Sequence, residues 1–366
     1  MRAQLFAHRR PDRHQHASVV AIVAFASALA ACAPFDLPAE RLSKGDVTLY
    51  TEVPVTFSTE LLDEMMRYRR AVDAELGTSS SESSAIEYAL LGDDGAVRDA
   101  CSRLPGASAC AFGEYAATTA PLHLHELVHV FTHVRGSPHP FLFEGFAEVF
   151  GGSPGDILVA HDLPLTRILS STPLLSSGAS DGYAGSASFT SFLIDTFGMH
   201  AVMRFYECDD GGNDDLDSLD ATARDTLGVS LSEAHAAWTA LPPEPRYTIT
   251  RNTYACSGPE ADLTSSNVVR LVRGASRTVS QGGAVRTFSV NTPSTLVVHA
   301  EGTSVGVLIG SCDRRPNVLG EHTSTSSLDA SAPIEPGRYF VWMTSQFESP
   351  QDSVLEGLLQ ISVEPR

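Results

Sequence analysis

The sequence has little positive charge. Its 366 residues include 25 Lys and Arg residues against 44 Asp and Glu residues, a formal net charge of −19, and Lys44 is its one lysine. Proteins that bind nucleic acid or an anionic membrane surface do so through clustered basic side chains. The charge balance therefore predicts no nucleic-acid partner, and the length predicts about two domains.

The sequence also lacks an apolar run long enough to cross a membrane. Residues 17–31 are small or apolar apart from two serines, and they follow Arg2, Arg9, Arg10 and Arg13. This run has 15 residues, too few to span about 30 Å of hydrocarbon as a helix. A charged segment before a short apolar one is typical of a secretory signal, so residues 1–31 are predicted to be a cleaved signal peptide.

The end of this signal carries a second pattern. Residues 29–32 read Leu-Ala-Ala-Cys, which resembles the lipobox of bacterial lipoproteins. The resemblance implies that Cys32 carries the lipid and that only the lipid contacts the membrane. The residues that follow read as a short tether, predicted over 32–46. Ala33 after the cysteine implies the outer membrane of the bacterial cell envelope, on its periplasmic or its surface face. An ordinary secretory signal is the alternative.

Cysteine is scarce, and none of the six has the C-x-x-C spacing of a structural zinc site. Five remain for an oxidising compartment once the lipidated residue is set aside. Cys101 and Cys110 flank a Pro-Gly pair and are predicted to close a small disulfide loop. Cys256 and Cys312 are predicted to pair within the C-terminal region, which leaves Cys208 free.

The spacing of apolar residues changes at Leu-Pro-Pro-Glu-Pro, residues 241–245. Helical spacing dominates before this segment, and short alternating runs dominate after it. The pattern predicts one domain over 47–241 and an all-β, sandwich-like domain over 247–366. The clearest predicted elements are a helix from Ser58 to Gly77, a strand over 85–91, helices over 121–134, 141–150, 183–197 and 231–238, and strands over 287–290, 295–298 and 339–342.

The strongest chemical signal is His-Glu-Leu-Val-His at residues 125–129. Positions i and i+4 of a helix share one face, so His125 and His129 can bind one Zn²⁺ together. Glu126 lies beside them and can take a proton from a water that the cation activates. A helix face that holds polar residues by chance is the alternative.

A second apolar helix follows after a turn that contains Gly136, Pro138 and Pro140. A hairpin of the two helices brings Glu144 toward the histidine pair. Zinc then has two imidazoles, one carboxylate and a water. The sequence predicts one Zn²⁺ per chain, with Glu144 as its third protein ligand.

The two motifs together resemble the gluzincin metallopeptidases, in which H-E-x-x-H is followed by E-G-x-A-[ED] on the next helix. The resemblance implies His125, His129 and Glu144 as ligands, Glu126 as general base, and Glu148 as a carboxylate that fixes the tautomer of a ligand imidazole. Fourteen residues separate the two motifs, fewer than in the aminopeptidase members. The implied fold is an α+β zincin-like catalytic domain, mostly helical with an N-terminal sheet, followed by the all-β sandwich.

A third match lies at the start of the predicted helix 183–197. Its Tyr-Ala-Gly-Ser-Ala sequence resembles the tyrosine helix of aminopeptidase-like gluzincins. The resemblance implies that the Tyr183 hydroxyl donates a hydrogen bond to the oxyanion of the transition state. A core or capping tyrosine is the alternative.

Other candidate ligands are interpreted as structural. His123, His133 and His139 are expected to be satisfied or exposed histidines, and the acidic run 207–220 is expected to be a solvated loop, because it lacks the EF-hand spacing.

The sequence therefore predicts an envelope-anchored zinc peptidase that acts on a peptide or protein substrate. A catalytically silent binding lipoprotein and a zinc amidase for cell-wall peptides remain as alternatives. The sequence does not predict the oligomeric state, or whether cleavage is internal or terminal.

Overall fold

The structure of the chain is a computed structural model. It describes residues 37–51, 59–77, 85–101, 109–120, 122–152, 163–169, 180–208, 216–241, 251–261, 267–272, 284–301, 305–313, 318–324, 326–345 and 356–365. The chain divides into Met1–Asp36 and Leu37–Arg366. The predicted signal peptide, Cys32, the Pro-rich residues 242–246 and residues 209–215 of the acidic run lie outside the described residues.

The first half of the larger unit contains a five-stranded sheet with the order β1-β2-β3-β5-β4. Strands β2, β3 and β5 run parallel, whereas β1 and β4 pair antiparallel at the two edges. Strand β1 lies within the segment predicted as a tether, so the sheet begins before residue 47. The elements are β1 (Glu40–Lys44), β2 (Val47–Thr51), α1 (Thr59–Leu76), β3 (Ile86–Leu90), α2 (Asp94–Ala100), β4 (Ala109–Phe112) and β5 (Tyr115–Thr118).

Helices follow the sheet. They are α3 (Leu124–Thr132) with a 3-10 turn over His133–Arg135, α4 (Pro140–Gly151), α5 (Leu165–Ile168), α6 (Ser180–Phe197), α7 (Met199–Cys208), α8 (Leu216–Leu227), α9 (Leu231–Thr239) and α10 (Thr253–Cys256). Among the described helices, none is long and apolar enough to cross a membrane.

Local chemistry explains several helix ends. Helix α1 stops at Gly77, whose φ of 70° is the left-handed conformation that favours glycine. Helix α9 begins with a capping box, in which Ser230 and Glu233 each accept a backbone N–H from the other. The predicted helices ending at Gly77 and spanning 183–197 and 231–238 are confirmed.

Two antiparallel sheets make up the C-terminal part. Their strand orders are β10-β9-β12-β7 and β11-β8-β13-β6, and inward side chains such as Phe288, Val298, Ile309, Val341 and Ile361 form a core between them. The strands are β6 (Asn267–Val272), β7 (Ala284–Val290), β8 (Ser294–Glu301), β9 (Val305–Ser311), β10 (Val318–Ser324), β11 (Ser327–Ile334), β12 (Gly337–Ser345) and β13 (Glu356–Pro365).

The fold class expected from the sequence, a mostly helical zincin-like domain followed by a separate sandwich, is wrong. Helices and three small sheets share the one compact unit Leu37–Arg366. The main hydrophobic core joins residues of α1 and α4 to Val285, Leu308, Phe340 and Trp342 of the C-terminal sheets. The helices and the C-terminal sheets share this core because Tyr254 of α10 is buried beside Trp342, with 5.5 Å between the two ring centroids.

Candidate metal centre

Helix α3 is fixed at its start by a buried tyrosine. The Tyr88 hydroxyl donates to the Ala120 carbonyl oxygen at 2.6 Å and accepts the His123 backbone N–H at 2.9 Å. The His123 imidazole faces the Glu126 backbone N–H as the N-cap. These contacts tie the helix start to the end of the sheet, so the histidine motif begins at a defined position.

Helix α4 begins at Pro140, with His139 as its N-cap. Two glycines let this helix approach its neighbours closely. A Cβ at Gly151 would lie 2.6 Å from the backbone of Leu124, at the start of α3. A Cβ at Gly145 would collide with Thr190 and lie 2.9 Å from the Ser186 carbonyl oxygen, both in α6. Glycine at these positions thus sets the spacing of the three helices.

The hairpin of α3 and α4 brings His125, His129 and Glu144 together. Nε2 of His125 lies 3.1 Å from Nε2 of His129 and 3.1 Å from Oε2 of Glu144. Nε2 of His129 lies 3.3 Å from the same carboxylate oxygen. The three ligand atoms thus form a nearly equilateral triangle.

This triangle fits a single metal ion. Tetrahedral ligands at about 2.0–2.1 Å from a cation lie roughly 3.3 Å from one another. His129 and Glu144 are 4% and 7% exposed, so a charged carboxylate is buried where it needs a cationic partner. Three protein ligands leave a position for a further ligand. The cluster can therefore hold a metal ion.

Glu148 orients one of the imidazoles. Its Oε1 lies 2.9 Å from Nδ1 of His125, so this carboxylate holds the proton on Nδ1 and turns Nε2 toward the cluster. Burial alone would lower the pKa of His125. Its hydrogen bonds to Glu144 and Glu148, together with the charges of Glu126 and Glu148, outweigh burial and hold that pKa well above its usual value. Gly152 leaves room for the arrangement, because a Cβ there would lie 2.8 Å from Oε2 of Glu148.

The remaining two candidates border the cluster. Glu126 is 7% exposed, and the Tyr183 ring centroid lies 6.1 Å from that of His125. Burial, followed by the charges of Glu144, Glu126 and Glu148, raises the pKa of Tyr183 far above its usual value. The phenol is therefore protonated and able to donate a hydrogen bond.

The neighbouring histidines are structural, as expected from the sequence, but their hydrogen-bond partners were not predicted. His123 and His139 are N-caps, and Nδ1 of His133 lies 2.7 Å from the Val130 carbonyl oxygen. A histidine directly before each apolar helix was the signal for the caps. Tyr88 was also missed, because no local pattern marks a strand residue that bonds a distant helix end.

Both predicted disulfides are present. Cys101 pairs with Cys110 and Cys256 with Cys312, while Cys208 is a free, exposed thiol. The predicted lipidation site, Cys32, lies outside the described residues.

No protein-family model and no curated protein matches the chain. Among solved structures, the pre-peptidase C-terminal domain of a collagenase from Bacillus anthracis is 14% identical over 29% of this chain and 94% of that chain, with a TM-score of 0.22. A periplasmic inhibitor of g-type lysozyme from Aeromonas hydrophila is 11% identical over 29% and 96%, with a TM-score of 0.22. A β-glucosidase from Paenibacillus barengoltzii is 9% identical over 41% and 18%, with a TM-score of 0.16. None of the three supports the zincin-like class, and such low scores carry no inference about function.

Proposed function

We propose that this chain is a zinc-dependent peptidase with the ligand set of the gluzincins. The observation that carries the proposal is the triangle of His125, His129 and Glu144, with its edges of 3.1, 3.1 and 3.3 Å. Two imidazoles and one carboxylate with an open position are the ligand set of many catalytic zinc sites, whereas structural zinc sites use four protein ligands.

Zinc bound there would lower the pKa of a water molecule and polarise the carbonyl group of a peptide. Glu126 is adjacent to the ligand His125 and acts as the general base, which takes the water's proton and later passes it to the leaving amine. The Tyr183 phenol stays protonated and donates to the oxygen that gains negative charge in the transition state. Glu148 keeps His125 in the tautomer that presents Nε2.

The proposed location is the bacterial cell envelope, with the lipid on Cys32 as the anchor. The 29–32 sequence supports this part of the proposal. Mass spectrometry of the mature protein tests it, because a diacylated N-terminal cysteine has a characteristic mass. Cys32→Ser should release the protein from the membrane fraction, and a Cys32→Ser protein that still sediments with membranes would contradict the anchor.

The catalytic proposal is tested by zinc content and by Glu126→Gln. We expect about one zinc per chain in both proteins, because Glu126 is not a ligand. Loss of the base should lower peptide hydrolysis by roughly 10²–10⁴-fold. Glu260→Gln is the matched control, because this exposed carboxylate should change neither quantity.

Three other outcomes would count against the proposal. Full activity in Glu126→Gln would remove Glu126 from the mechanism. A chain that holds zinc but cleaves nothing in a broad peptide library would favour the binding lipoprotein. Cleavage of peptidoglycan fragments alone would favour the cell-wall amidase.

A further inference from the structure

The two histidines of the cluster are held in different ways. Nδ1 of His125 has the carboxylate of Glu148 at 2.9 Å. Nδ1 of His129 is buried and has no hydrogen-bond partner among the described residues. Because a metal-binding imidazole normally donates its second N–H to a fixed acceptor, something else must set the orientation of the His129 ring.

Phe143 contacts His129 directly. The two ring centroids are 3.9 Å apart and the planes differ by 17°, so the rings are stacked. Phe143 immediately precedes the ligand Glu144 on α4, and it is half-buried and packed against the main hydrophobic core. Helix α4 therefore supplies both the carboxylate of Glu144 and the aromatic ring that covers His129.

The stacking geometry suits an imidazole that carries positive charge. Two neutral rings avoid a close face-to-face arrangement, because the negative faces of their π systems repel. A cation above the face of an aromatic ring is attracted by the same charge distribution. An imidazole that donates its electron pair to a metal ion becomes more positive, so metal binding should strengthen the contact between His129 and Phe143.

We propose that Phe143 is a positioning residue for the metal centre, which holds the His129 ring in its binding orientation by stacking. Phe143 thus orients the His129 ring, as the Glu148 carboxylate orients the His125 ring. This inference rests on the proposed zinc site and adds a residue that none of the recognised motifs includes.

The test measures zinc affinity by competition with a chelator of known affinity, with full-length protein. Phe143→Leu keeps an apolar side chain but removes the aromatic face, and we expect zinc to bind about 10-fold more weakly, as for loss of other groups that orient a ligand. Phe143→Tyr keeps the face and should restore wild-type affinity. Phe150→Leu is the matched control, because it is the same change on the same helix at a ring that stacks on Phe146 instead.

Cobalt substitution gives a second measurement that does not depend on activity. The visible absorption of bound Co²⁺ reports ligand geometry, and it should change in Phe143→Leu but not in Phe143→Tyr or Phe150→Leu. Phe143→Met provides a second non-aromatic variant if the leucine variant folds poorly.

The outcomes separate this inference from the proposed function. Wild-type protein with one zinc and Phe143→Leu with unchanged affinity and cobalt spectrum would overturn the positioning role alone. A wild-type chain that binds no zinc would overturn the proposed function and the positioning role together. An equal loss in Phe150→Leu would assign the effect to helix packing and would also overturn the positioning role.

Discussion

Tyr183 shows how a single hydroxyl group can be tested without disturbing the metal ligands. Tyr183→Phe removes the one group proposed to donate to the transition state, while its ring stays packed beside His125. We expect kcat to fall by roughly 10²–10³-fold, with little change in KM or zinc content. Steady-state kinetics and metal analysis measure these quantities.

The control for this change is Tyr339→Phe. It removes a hydroxyl that donates to the Glu335 carbonyl oxygen at 2.6 Å in the C-terminal sheets. An unchanged kcat in Tyr183→Phe would leave this tyrosine with a packing role only. Because burial, and then the neighbouring carboxylates, raise the pKa of Tyr183, its phenol should not produce an alkaline fall in rate below pH 10.

For single residues, the sequence predicted which residues form the candidate site better than it predicted how their side chains are oriented. The i, i+4 spacing was enough to pair His125 with His129, because helix geometry is local. The stacking of His129 on Phe143 was not predictable, because it depends on the crossing of two helices. The same limit applies to Tyr88, whose partners are Ala120 and the His123 backbone.

Among the contacts between secondary-structure elements, the packing of α4 against α6 supports the metal-binding cluster most directly. Gly145 lies one residue after Glu144, and a Cβ there would meet the Thr190 side chain and the Ser186 carbonyl oxygen. Gly145→Ala should therefore push the helices apart and lower the free energy of unfolding by about 1–3 kcal/mol. Zinc affinity should fall as well, because Glu144 moves with its helix.

A double-mutant cycle tests whether the clash with Thr190 causes the loss of stability in Gly145→Ala. Thr190→Ala alone should cost little, since its hydroxyl has no hydrogen-bond partner among the described residues. Combined with Gly145→Ala, it should recover part of the lost stability, although the contact with the Ser186 carbonyl remains. Denaturant unfolding of the four proteins supplies the free energies, and strictly additive effects would show that the two helices do not clash there.

Element prediction succeeded where apolar spacing was strong. The 124–132 and 140–151 helices and the strands around 287–290, 295–298 and 339–342 follow from their periods of 3.6 and 2. Helix α10 has only four residues, and its N-cap Asn252 has a φ of 51°. Such a short turn has no period to detect, so its burial of Tyr254 against Trp342 was not foreseen.

At the scale of the whole molecule, the segment 251–256 links the helices to the C-terminal sheets. The Arg251 side chain lies 2.8 Å from Glu75 and 3.4 Å from Asp195, and its backbone N–H donates to the Val149 carbonyl oxygen. The disulfide of Cys256 and Cys312 then continues the link into the sheets. The sequence predicted two successive domains, and it did not predict these contacts, because they join residues that are far apart in the chain.

The shared core predicts that helices and sheets unfold together. Cys256→Ser with Cys312→Ser opens a loop of 56 residues, a loss of about 4 kcal/mol on the chain-entropy model. For a single unit of this size, that loss lowers the melting temperature by roughly 6 °C. Scanning calorimetry should show one transition at a lower temperature.

The matched control is Cys101→Ser with Cys110→Ser, which opens a loop of only 9 residues. The same model gives about 2–3 kcal/mol for this smaller loop, and hence a smaller shift. If helices and sheets form one cooperative unit, both pairs of substitutions shift the same transition, because each acts on the same folded state. Two separate transitions, each sensitive to only one disulfide, would mean that the core containing Tyr254 and Trp342 does not couple the two parts.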